Sequence, residues 1–315
     1  MAELTPILEI FPTDTNPSTV VVEDEDAPQA RIDQFLKSKA LAVKTQKEYR
    51  RELSRFLNWA NKEWAGITSQ DIAEFKVQLQ QQGLSSASVA QAISALKSFF
   101  RWMVDSRYLT ENPTLAVRTP SPLEPQAQHF SETEMMALWA ALEFRGETEV
   151  RDRAILSVLE HGLRVDEVSR LNVEDFDGQR ITIRKAKRDS VGQVPLVSEA
   201  AIAVQAYLEE RQERGEELRP ESPLFLSTSH NSRGKRLGYR GIYDLIKDLG
   251  EVAGIENCHP HRLRHTFATR LVLKGVDSYL ARKLTRHKSE SAFRRYSEHA
   301  RQQAAEEAFH AAFGD

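Results

Sequence analysis

The sequence predicts a mainly α protein of two domains: an N-terminal helical bundle and a mixed, mostly α second domain with a small antiparallel β-sheet. The chain has 315 residues, long enough for two hydrophobic cores. Apolar residues recur at helical spacing over most of the chain, and strand-like alternation is confined to the region around 180–197. A proline-containing stretch without periodicity, 118–129, predicts a linker between the two domains.

The N-terminal segment 1–30 is predicted to be a disordered acidic tail. It contains seven acidic residues and no basic ones, and it shows no helical periodicity. It carries neither the basic region nor the apolar stretch of a secretory signal. The tail either solvates the protein or competes with nucleic acid for a basic groove.

The first folded domain is predicted over 31–117 as a bundle of four helices with short loops. Its second helix is predicted to have Thr45 as its N-cap, and the third and fourth to cover Ser69–Gln82 and Ser85–Val104. The positions expected to face the core are Ile32, Phe35, Leu36, Tyr49, Leu53, Phe56, Leu57, Ala60, Val89, Ile93, Leu96, Phe99, Phe100 and Met103. We expect Phe99, Phe100 and Trp102 to be core residues rather than groups that stack on bases.

The second domain is predicted over 130–315 and begins with a capping box, Ser131 to Glu134. Strands are predicted at Arg180–Arg184 and Gln193–Val197, with Lys185–Gly192 as their hairpin turn and Leu224–Leu226 as a candidate third strand. Helices are predicted at Asp152–Glu160, Glu199–Arg214, Tyr239–Ala253, His261–Lys274, Ser278–Arg286 and Ser289–Phe309.

Charge is distributed unevenly along a chain whose net charge is only −3. Residues 31–117 hold 13 basic and 8 acidic residues, and residues 255–301 hold 11 basic and 4 acidic. Two basic blocks of this kind indicate a polyanionic partner. At the start of the second helix, basic and hydroxyl side chains are either phosphate contacts or a solvated helix face. These candidate DNA-binding residues are Lys44, Thr45, Lys47, Arg50 and Arg51.

Several classes of protein are excluded by composition and by missing motifs. The single cysteine, Cys258, rules out an internal disulfide framework and a cysteine-based zinc site, which favours a reducing cytoplasm. We expect Cys258 to be a small buried residue. No apolar run is long enough to span a membrane, so no membrane partner is expected. The sequence also lacks a phosphate-binding glycine loop, an HExxH helix and a GxSxG elbow.

Polar residues of three short segments stand out instead. The first is Gly162-Leu-Arg164-Val-Asp-Glu167, followed by Leu171, and the second is His261-Arg-Leu-Arg264-His265. The third is Leu284-Thr-Arg-His287, with Tyr296 nine residues later. Each segment alone is weak evidence. In this order and spacing they closely resemble the tyrosine recombinase (phage integrase) family, of the Xer-like or simple integrase type, and the resemblance extends over about residues 31–300.

The resemblance implies a SAM-like core-binding domain at 31–117 and a catalytic domain at 130–315. It also implies the catalytic residues Arg164, His261, Arg264, His287 and Tyr296, with Lys187 on the β-hairpin as the catalytic lysine. Lys187 lies seven residues before Val194 of a Val-Pro-Leu strand, the spacing expected in the family, and Lys185 is the alternative.

Around these positions, Glu167 is expected to hold the arginines in place, and His265 either supports the site or packs the helix. Arg188 is either a phosphate contact or a solvated turn residue. The family often has Leu-Gly-His at the late histidine, whereas this sequence has Thr285-Arg286-His287. Arg286 either contacts phosphate or fills the turn.

The implied chemistry suits these residue types. A tyrosine hydroxyl can attack a phosphodiester and form a covalent 3′-phosphotyrosyl link. Arg164 and Arg264 can neutralise the transition state bidentately while His287 donates a further hydrogen bond. Lys187 can protonate the leaving 5′ oxygen, and His261 can accept the tyrosine proton or orient the phosphate. The arginines supply the charge and the phosphotyrosine conserves the bond energy, so no metal and no cofactor are expected.

The predicted function is site-specific DNA recombination for integration, excision or resolution of a mobile element or plasmid. The expected partners are double-stranded DNA with inverted-repeat sites and three further copies of the chain, forming a homo-tetramer on two sites. The apolar segment Ala304–Phe313 either docks on a neighbouring subunit or packs on its own domain. The alternatives are a type IB-like topoisomerase and a catalytically silent DNA-binding accessory protein.

Overall fold

The structure is a computed structural model that describes residues 28–120, 129–184, 191–287, 289–290, 293, 305–306 and 309–314. The chain divides into two compact units, Met1–Glu124 and Pro125–Asp315, each with its own hydrophobic core. Most of the described residues are helical, and the mainly α class is confirmed. Within the described residues, no helix is long and apolar enough to cross a membrane.

The first unit contains four α-helices and one 3₁₀ turn, Trp64–Gly66, within the described residues. The helices are α1 (Pro28–Ser38), α2 (Val43–Ala60), α3 (Ser69–Gln81) and α4 (Ser86–Asp105). Proline suits the first turn of a helix because that turn has no use for the missing N–H. Residues 28–30, which we predicted to belong to the disordered tail, therefore form the start of α1.

Aromatic side chains fill the core of this unit. Phe99 packs edge-on against Phe35 at 5.4 Å and lies 4.5 Å from Trp64, measured between ring centroids. Phe99, Phe100 and Trp102 are all buried, which confirms that they are core residues. Offset and edge-to-face packing of this kind stabilises a core beyond the area that it buries.

Local sequence signals predict the start of some helices but not of others. Thr68 caps α3 and exchanges hydrogen bonds with Asp71 in a capping box. The prediction of Thr45 as the N-cap of α2 is wrong. The N-cap residue is Ala42, three residues earlier, which makes no side-chain bond, and the helix begins at Val43. The amide side chain of Gln46 donates to the carbonyl of Leu41 and fastens this end instead.

The second unit contains seven α-helices among the described residues up to Leu284. They are α5 (Glu132–Ala141), α6 (Glu149–Glu160), α7 (Val165–Val168), α8 (Ser198–Glu213), α9 (Tyr239–Val252), α10 (Pro260–Leu273) and α11 (Ser278–Leu284). The predicted capping box from Ser131 to Glu134 is confirmed at the start of α5. Most of the predicted helix Ser289–Phe309 lies outside the described residues.

A two-stranded antiparallel sheet joins β1 (Arg180–Ile183) to β2 (Gly192–Pro195). The register pairs Arg180 with Pro195 and Ile183 with Gly192. The predicted pair of strands is therefore confirmed, with each strand ending slightly earlier than expected. Residues 185–190 of the intervening segment lie outside the described residues.

The prediction of a third strand at Leu224–Leu226 is wrong. Only an isolated bridge, Leu226 to Arg236, forms in this segment. Side chains bond to three of its backbone groups. Arg211 donates to the carbonyl oxygen of Leu224, Arg151 donates to that of Leu226, and the Leu226 N–H donates to the hydroxyl of Tyr207.

Cys258 is buried beside α9, as expected. Its thiol donates to the carbonyl oxygen of Ile246 at 3.2 Å, and burial raises the pKa of Cys258 to about 11. A thiol with so high a pKa is held in the unreactive neutral form at ordinary pH.

Candidate active site

Arg264 occupies a central position in the second unit. It lies on the second turn of α10, and its side chain is almost completely buried, with 1% of its surface exposed. Its Nη1 donates to the carbonyl oxygen of Gly162, and its Nη2 donates to that of Thr285. One guanidinium therefore fastens the segment before Arg164 and the segment before His287 to the same helix.

Gly162 is required at its position for two reasons. Its φ of 75° lies in the left-handed region that favours glycine. A Cβ atom at this position would also lie 2.6 Å from Cδ1 of Phe267 on α10, closer than carbon atoms approach. The glycine therefore lets the chain turn from α6 into Leu163 and Arg164 while it passes close to α10.

His287 follows the end of α11 and faces Arg264. Its Nε2 lies 3.5 Å from Nη2 of Arg264, and its Nδ1 lies 2.7 Å from the hydroxyl of Thr285. Thr285 is fully buried and donates through that hydroxyl to the carbonyl oxygen of Ala281. A hydroxyl that donates elsewhere accepts at its lone pairs, so the contact favours a proton on Nδ1 of His287.

Glu167, three residues after Arg164 on the single turn of α7, holds that arginine. One carboxylate oxygen accepts from Nη1 of Arg164 at 2.6 Å, and the other accepts from its backbone N–H at 2.9 Å. Burial opposes ionisation of Glu167, but Arg286 and Arg164 outweigh it and lower the pKa of this carboxyl. Glu167 is thus a buried carboxylate, and its second arginine partner is Arg286 rather than Arg264.

Arg286 is the functional candidate that the sequence left without an assigned role. Its Nη2 lies 2.6 Å from Oε2 of Glu167, and both side chains are buried. It therefore neither fills the turn nor points to solvent as a phosphate contact, the two alternatives that the sequence suggested. No local signal could identify its partner, because Glu167 lies 119 residues earlier.

His261 and His265 lie one helical turn apart on α10. His261 is exposed on the first turn, His265 is half-buried, and their ring centroids are 5.1 Å apart. Helical spacing places His261 and Arg264 on neighbouring positions of one face.

Arg262 has a different role from Arg264, although both belong to the same short motif. Its guanidinium donates to both carboxylate oxygens of Glu134, at 2.6 and 2.8 Å, and lies 4.1 Å from the ring centre of Phe130. It also donates to the carbonyl oxygen of His129. Arg262 therefore ties α10 to the start of α5 and stabilises the domain.

His161 connects the Arg164 segment to the residue after β2. Its Nε2 accepts a hydrogen bond from the N–H of Val197 at 3.1 Å, which leaves Nδ1 to donate to the carbonyl oxygen of Ser157 at 2.7 Å. Burial lowers the pKa of His161, and the bond to Ser157 offsets this only in part. The ring is therefore neutral in the folded protein.

The candidate DNA-binding residues of the first unit lie on the first turns of α2. Lys44 and Lys47 are exposed, and Thr45 is half-buried. Arg50 pairs with Asp33, and Arg51 pairs with Glu52 at 2.6 Å. All four cations of this helix end are exposed, and the two arginines are also held in ion pairs.

Two family descriptions match the chain. The phage integrase family matches residues 128–303, and the phage integrase N-terminal SAM-like domain matches residues 32–107. The chain belongs to the phage integrase family. Each matched range falls within one of the two compact units.

Individual relatives narrow the assignment of this chain within the phage integrase family. Tyrosine recombinase XerC of Oceanobacillus iheyensis is 32% identical over 260 residues, which cover 80% of this chain and 85% of that protein. Tyrosine recombinase XerD of Pseudomonas aeruginosa is 33% identical over 282 residues, which cover 86% and 93% of the two chains. The protein is a site-specific tyrosine recombinase of the Xer-like type.

Solved structures show the same fold. A crystal structure of XerH site-specific recombinase bound to a palindromic difH substrate matches with a TM-score of 0.71 and 22% identity, covering 89% of this chain and 84% of that one. A lambda integrase dimer bound to a COC′ core site matches with a TM-score of 0.68 and 19% identity, covering 85% and 94%. The SAM-like bundle and the mixed second domain are therefore confirmed as a tyrosine recombinase fold.

Among the residues that the sequence singled out, the phage integrase fold brings Arg164, Glu167, Arg264 and His287 into one connected group. Arg264 links the segments that carry Arg164 and His287, and Glu167 holds Arg164. Four further candidates lie outside the described residues: Lys185, Lys187, Arg188 and Tyr296.

Proposed function

We propose that the group formed by Arg164, Arg264 and His287 binds the scissile phosphate of DNA and that Tyr296 attacks it. The observation that supports this most strongly is the burial of Arg264 where two distant segments meet. A guanidinium held by two carbonyl oxygens keeps a fixed position during the reaction. Stabilisation of the transition state by charged groups that are already in place is usually the largest single contribution to catalysis.

The arginines supply the charge that phosphoryl transfer requires. Attack on a phosphodiester adds negative charge to the nonbridging oxygens. A planar guanidinium can meet two of these oxygens through parallel N–H bonds, which a lysine cannot do. Arg164 carries the more accessible of the two guanidinium groups, with 29% of its side chain exposed. The Nε2 of His287, 3.5 Å from Arg264, can donate once the ring is protonated there.

The protons and bonds balance without a further reactant. The oxygen of Tyr296 forms a bond to phosphorus as its proton passes to His261, and the bond from phosphorus to the 5′ oxygen breaks. Lys187, or Lys185 in its place, protonates that leaving oxygen. The reverse steps, with a different 5′ hydroxyl as nucleophile, rejoin the strand and release Tyr296.

The proposed partner is double-stranded DNA with inverted-repeat sites, on which four copies of the chain assemble. Support comes from XerH, which was solved on a palindromic substrate, and from the lambda integrase dimer on its core site. Residues 309–313 are helical and expose Phe309 and Phe313, with 54% and 72% of their surface accessible, as a segment that docks on a neighbour would. The use by a mobile element or plasmid and the cytoplasmic location stay predictions.

The division of labour between domains is also proposed. The SAM-like domain, taken as 31–117, would grip DNA through Lys44, Thr45, Lys47, Arg50 and Arg51, with Arg188 adding a contact from the catalytic domain, 130–315. Replacing Lys47 with alanine should reduce the salt dependence of DNA binding by about one phosphate contact. Lys62, which pairs with Asp71 at 2.6 Å in the same unit, is the control position and should leave the slope unchanged.

A nicked suicide substrate tests the chemistry. After cleavage a short fragment diffuses away, so the covalent protein–DNA adduct accumulates. The wild-type chain should form the adduct, and Tyr296→Phe should form none. If the protein were instead a catalytically silent accessory protein, neither the wild-type chain nor Tyr296→Phe would form the adduct. A topoisomerase would relax supercoils on DNA of any sequence, whereas the proposed recombinase acts only at its own site.

A further inference from the structure

The backbone at Arg286 has an unusual conformation for an arginine. Its φ of 53° lies in the left-handed region, where a side chain is strained and glycine is favoured. The residue stands in the turn between the end of α11 and His287, and its N–H donates to the carbonyl oxygen of Lys283. A strained arginine next to a site residue indicates that its side chain has a use.

The side chain of Arg286 runs inward rather than toward solvent, with 5% of its surface exposed. Its Nη2 contacts Oε2 of Glu167 at 2.6 Å, and its Nη1 donates to the carbonyl oxygen of Leu284 at 3.3 Å. The aliphatic part passes the first residue of β2, since a Cβ atom at Gly192 would lie 3.6 Å from Cδ of Arg286. One residue thus contacts the turn before His287, the carboxylate that holds Arg164, and the strand that follows the lysine-bearing segment.

We infer that Arg286 is a positioning residue that fixes the turn carrying His287 against the Arg164 segment through Glu167. The inference rests on the proposed function of Arg164 and His287 at one phosphate. Oε2 of Glu167 receives both the backbone N–H of Arg164 and Nη2 of Arg286, so the two arginine segments share a single oxygen. Arg286 is not proposed to touch the phosphate.

The charges around Glu167 give this role a measurable consequence. Among the described residues, Arg286 and Arg164 are the charged groups that lower the pKa of Glu167 most, while Asp166 on the same short helix pairs with Arg170 just beyond its end. The charge of Arg286 is the largest single influence that lowers the pKa of Glu167, and Arg164 lowers it further through its charge and its hydrogen bonds. Removing it should raise that pKa and leave Glu167 protonated, and unable to hold Arg164, at a pH where the wild-type carboxylate is still ionised.

The test is single-turnover cleavage of the suicide substrate by the full chain as a function of pH. Arg286→Gly suits the left-handed backbone and should fold, which a thermal melt checks. Its cleavage rate should fall by about 10²-fold, the effect of misplacing reacting groups by about 1 Å. The acidic limb of its rate profile should move to higher pH, while its affinity for DNA stays within about threefold of wild type, because phosphate contacts dominate binding.

Three further variants separate positioning from packing. Arg286→Lys keeps the charge and should recover part of the rate and of the pH profile. Arg286→Met fills similar space without charge and should behave like Arg286→Gly. Lys283→Ala removes an exposed charge from the same helix end and should match wild type. Wild-type rate and profile in Arg286→Gly, or full recovery in Arg286→Met, would overturn the inference. A wild-type chain that forms no adduct would instead overturn the proposed function, and the inference with it.

Discussion

The guanidinium of Arg264 donates a hydrogen bond to the carbonyl oxygen of Gly162, although the two residues are 102 positions apart in the chain. The same guanidinium donates to Thr285, two residues before His287. A buried guanidinium needs such partners, because an unpaired charge is costly to remove from water. The bonds that satisfy Arg264 also align two segments of the active site, so folding and positioning depend on one side chain.

Replacing Arg264 with lysine should therefore reduce both stability and activity. A lysine keeps the charge but lacks the planar guanidinium, whose two terminal nitrogens donate separately to the carbonyl oxygens of Gly162 and Thr285. We expect the rate of adduct formation to fall by about 10²–10³-fold, as for loss of a preorganised transition-state donor. Single-turnover cleavage measured well below the melting temperature checks this. An Arg264→Lys chain that cleaves at the wild-type rate would contradict the role given to the guanidinium of Arg264.

Replacing Arg262 with methionine should separate stability from chemistry. The variant loses the ion pair with Glu134, the bond to His129 and the cation–π contact of the guanidinium with Phe130. We expect the free energy of unfolding to fall by about 1–3 kcal/mol, as for loss of charged hydrogen bonds. Denaturant unfolding measures this loss. Cleavage at low temperature should stay within a few-fold of wild type, and a loss as large as that of Arg264→Lys would place Arg262 in the reaction instead.

Gly162→Ala should destabilise the protein through two effects. The left-handed backbone penalises a Cβ atom by about 1–2 kcal/mol, and crowding against Phe267 adds about 1–3 kcal/mol. Gly254 is the matched control, because its φ is 67° but a Cβ atom there meets nothing within 4 Å. Gly254→Ala should show only the first effect. Equal losses of unfolding free energy in the two variants would show that the contact with Phe267 is unimportant.

His161 should make the stability of the folded protein depend on pH. Because burial lowers its pKa in the folded state, the unfolded chain binds the proton more readily. The stabilisation is fully present above the ordinary histidine pKa of about 6.5 and is lost as the pH falls below it toward the folded-state value. The free energy of unfolding should therefore fall on acidification, and less steeply in His161→Gln. The exposed His230 supplies the control variant, His230→Gln, which should follow the wild-type curve. Parallel curves for wild type and His161→Gln would contradict this.

Most helices and both strands could be predicted from the sequence, because their signals are local. Thr68 and Ser131 cap their helices through side chains three residues away, and apolar spacing marks the buried faces. The errors arise where distant groups compete with local ones. Leu224–Leu226 has the composition of a strand, yet Arg151 on α6 and Arg211 on α8 donate to two of its carbonyl groups.

The candidate site could be predicted only in part, for the same reason. The spacing of Arg164, Arg264 and His287 identifies them as members of a known pattern without saying what holds them. The pairing of Arg286 with Glu167 joins residues 119 positions apart, so it depends on the folded arrangement. Arg262 and Arg264 are two residues apart in one motif, and only their burial among different partners separates a stabilising residue from a site residue.

Locating the DNA phosphate within a trapped adduct tests the central claim most directly. Wild-type protein is reacted with the suicide substrate, and the covalent adduct is digested with a protease. The peptide that carries the nucleotide is then sequenced by mass spectrometry. The phosphate should be found on the hydroxyl oxygen of Tyr296, linked to a 3′ DNA end. A phosphate on any other residue, a 5′ linkage, or no adduct at all would contradict the proposed recombinase chemistry.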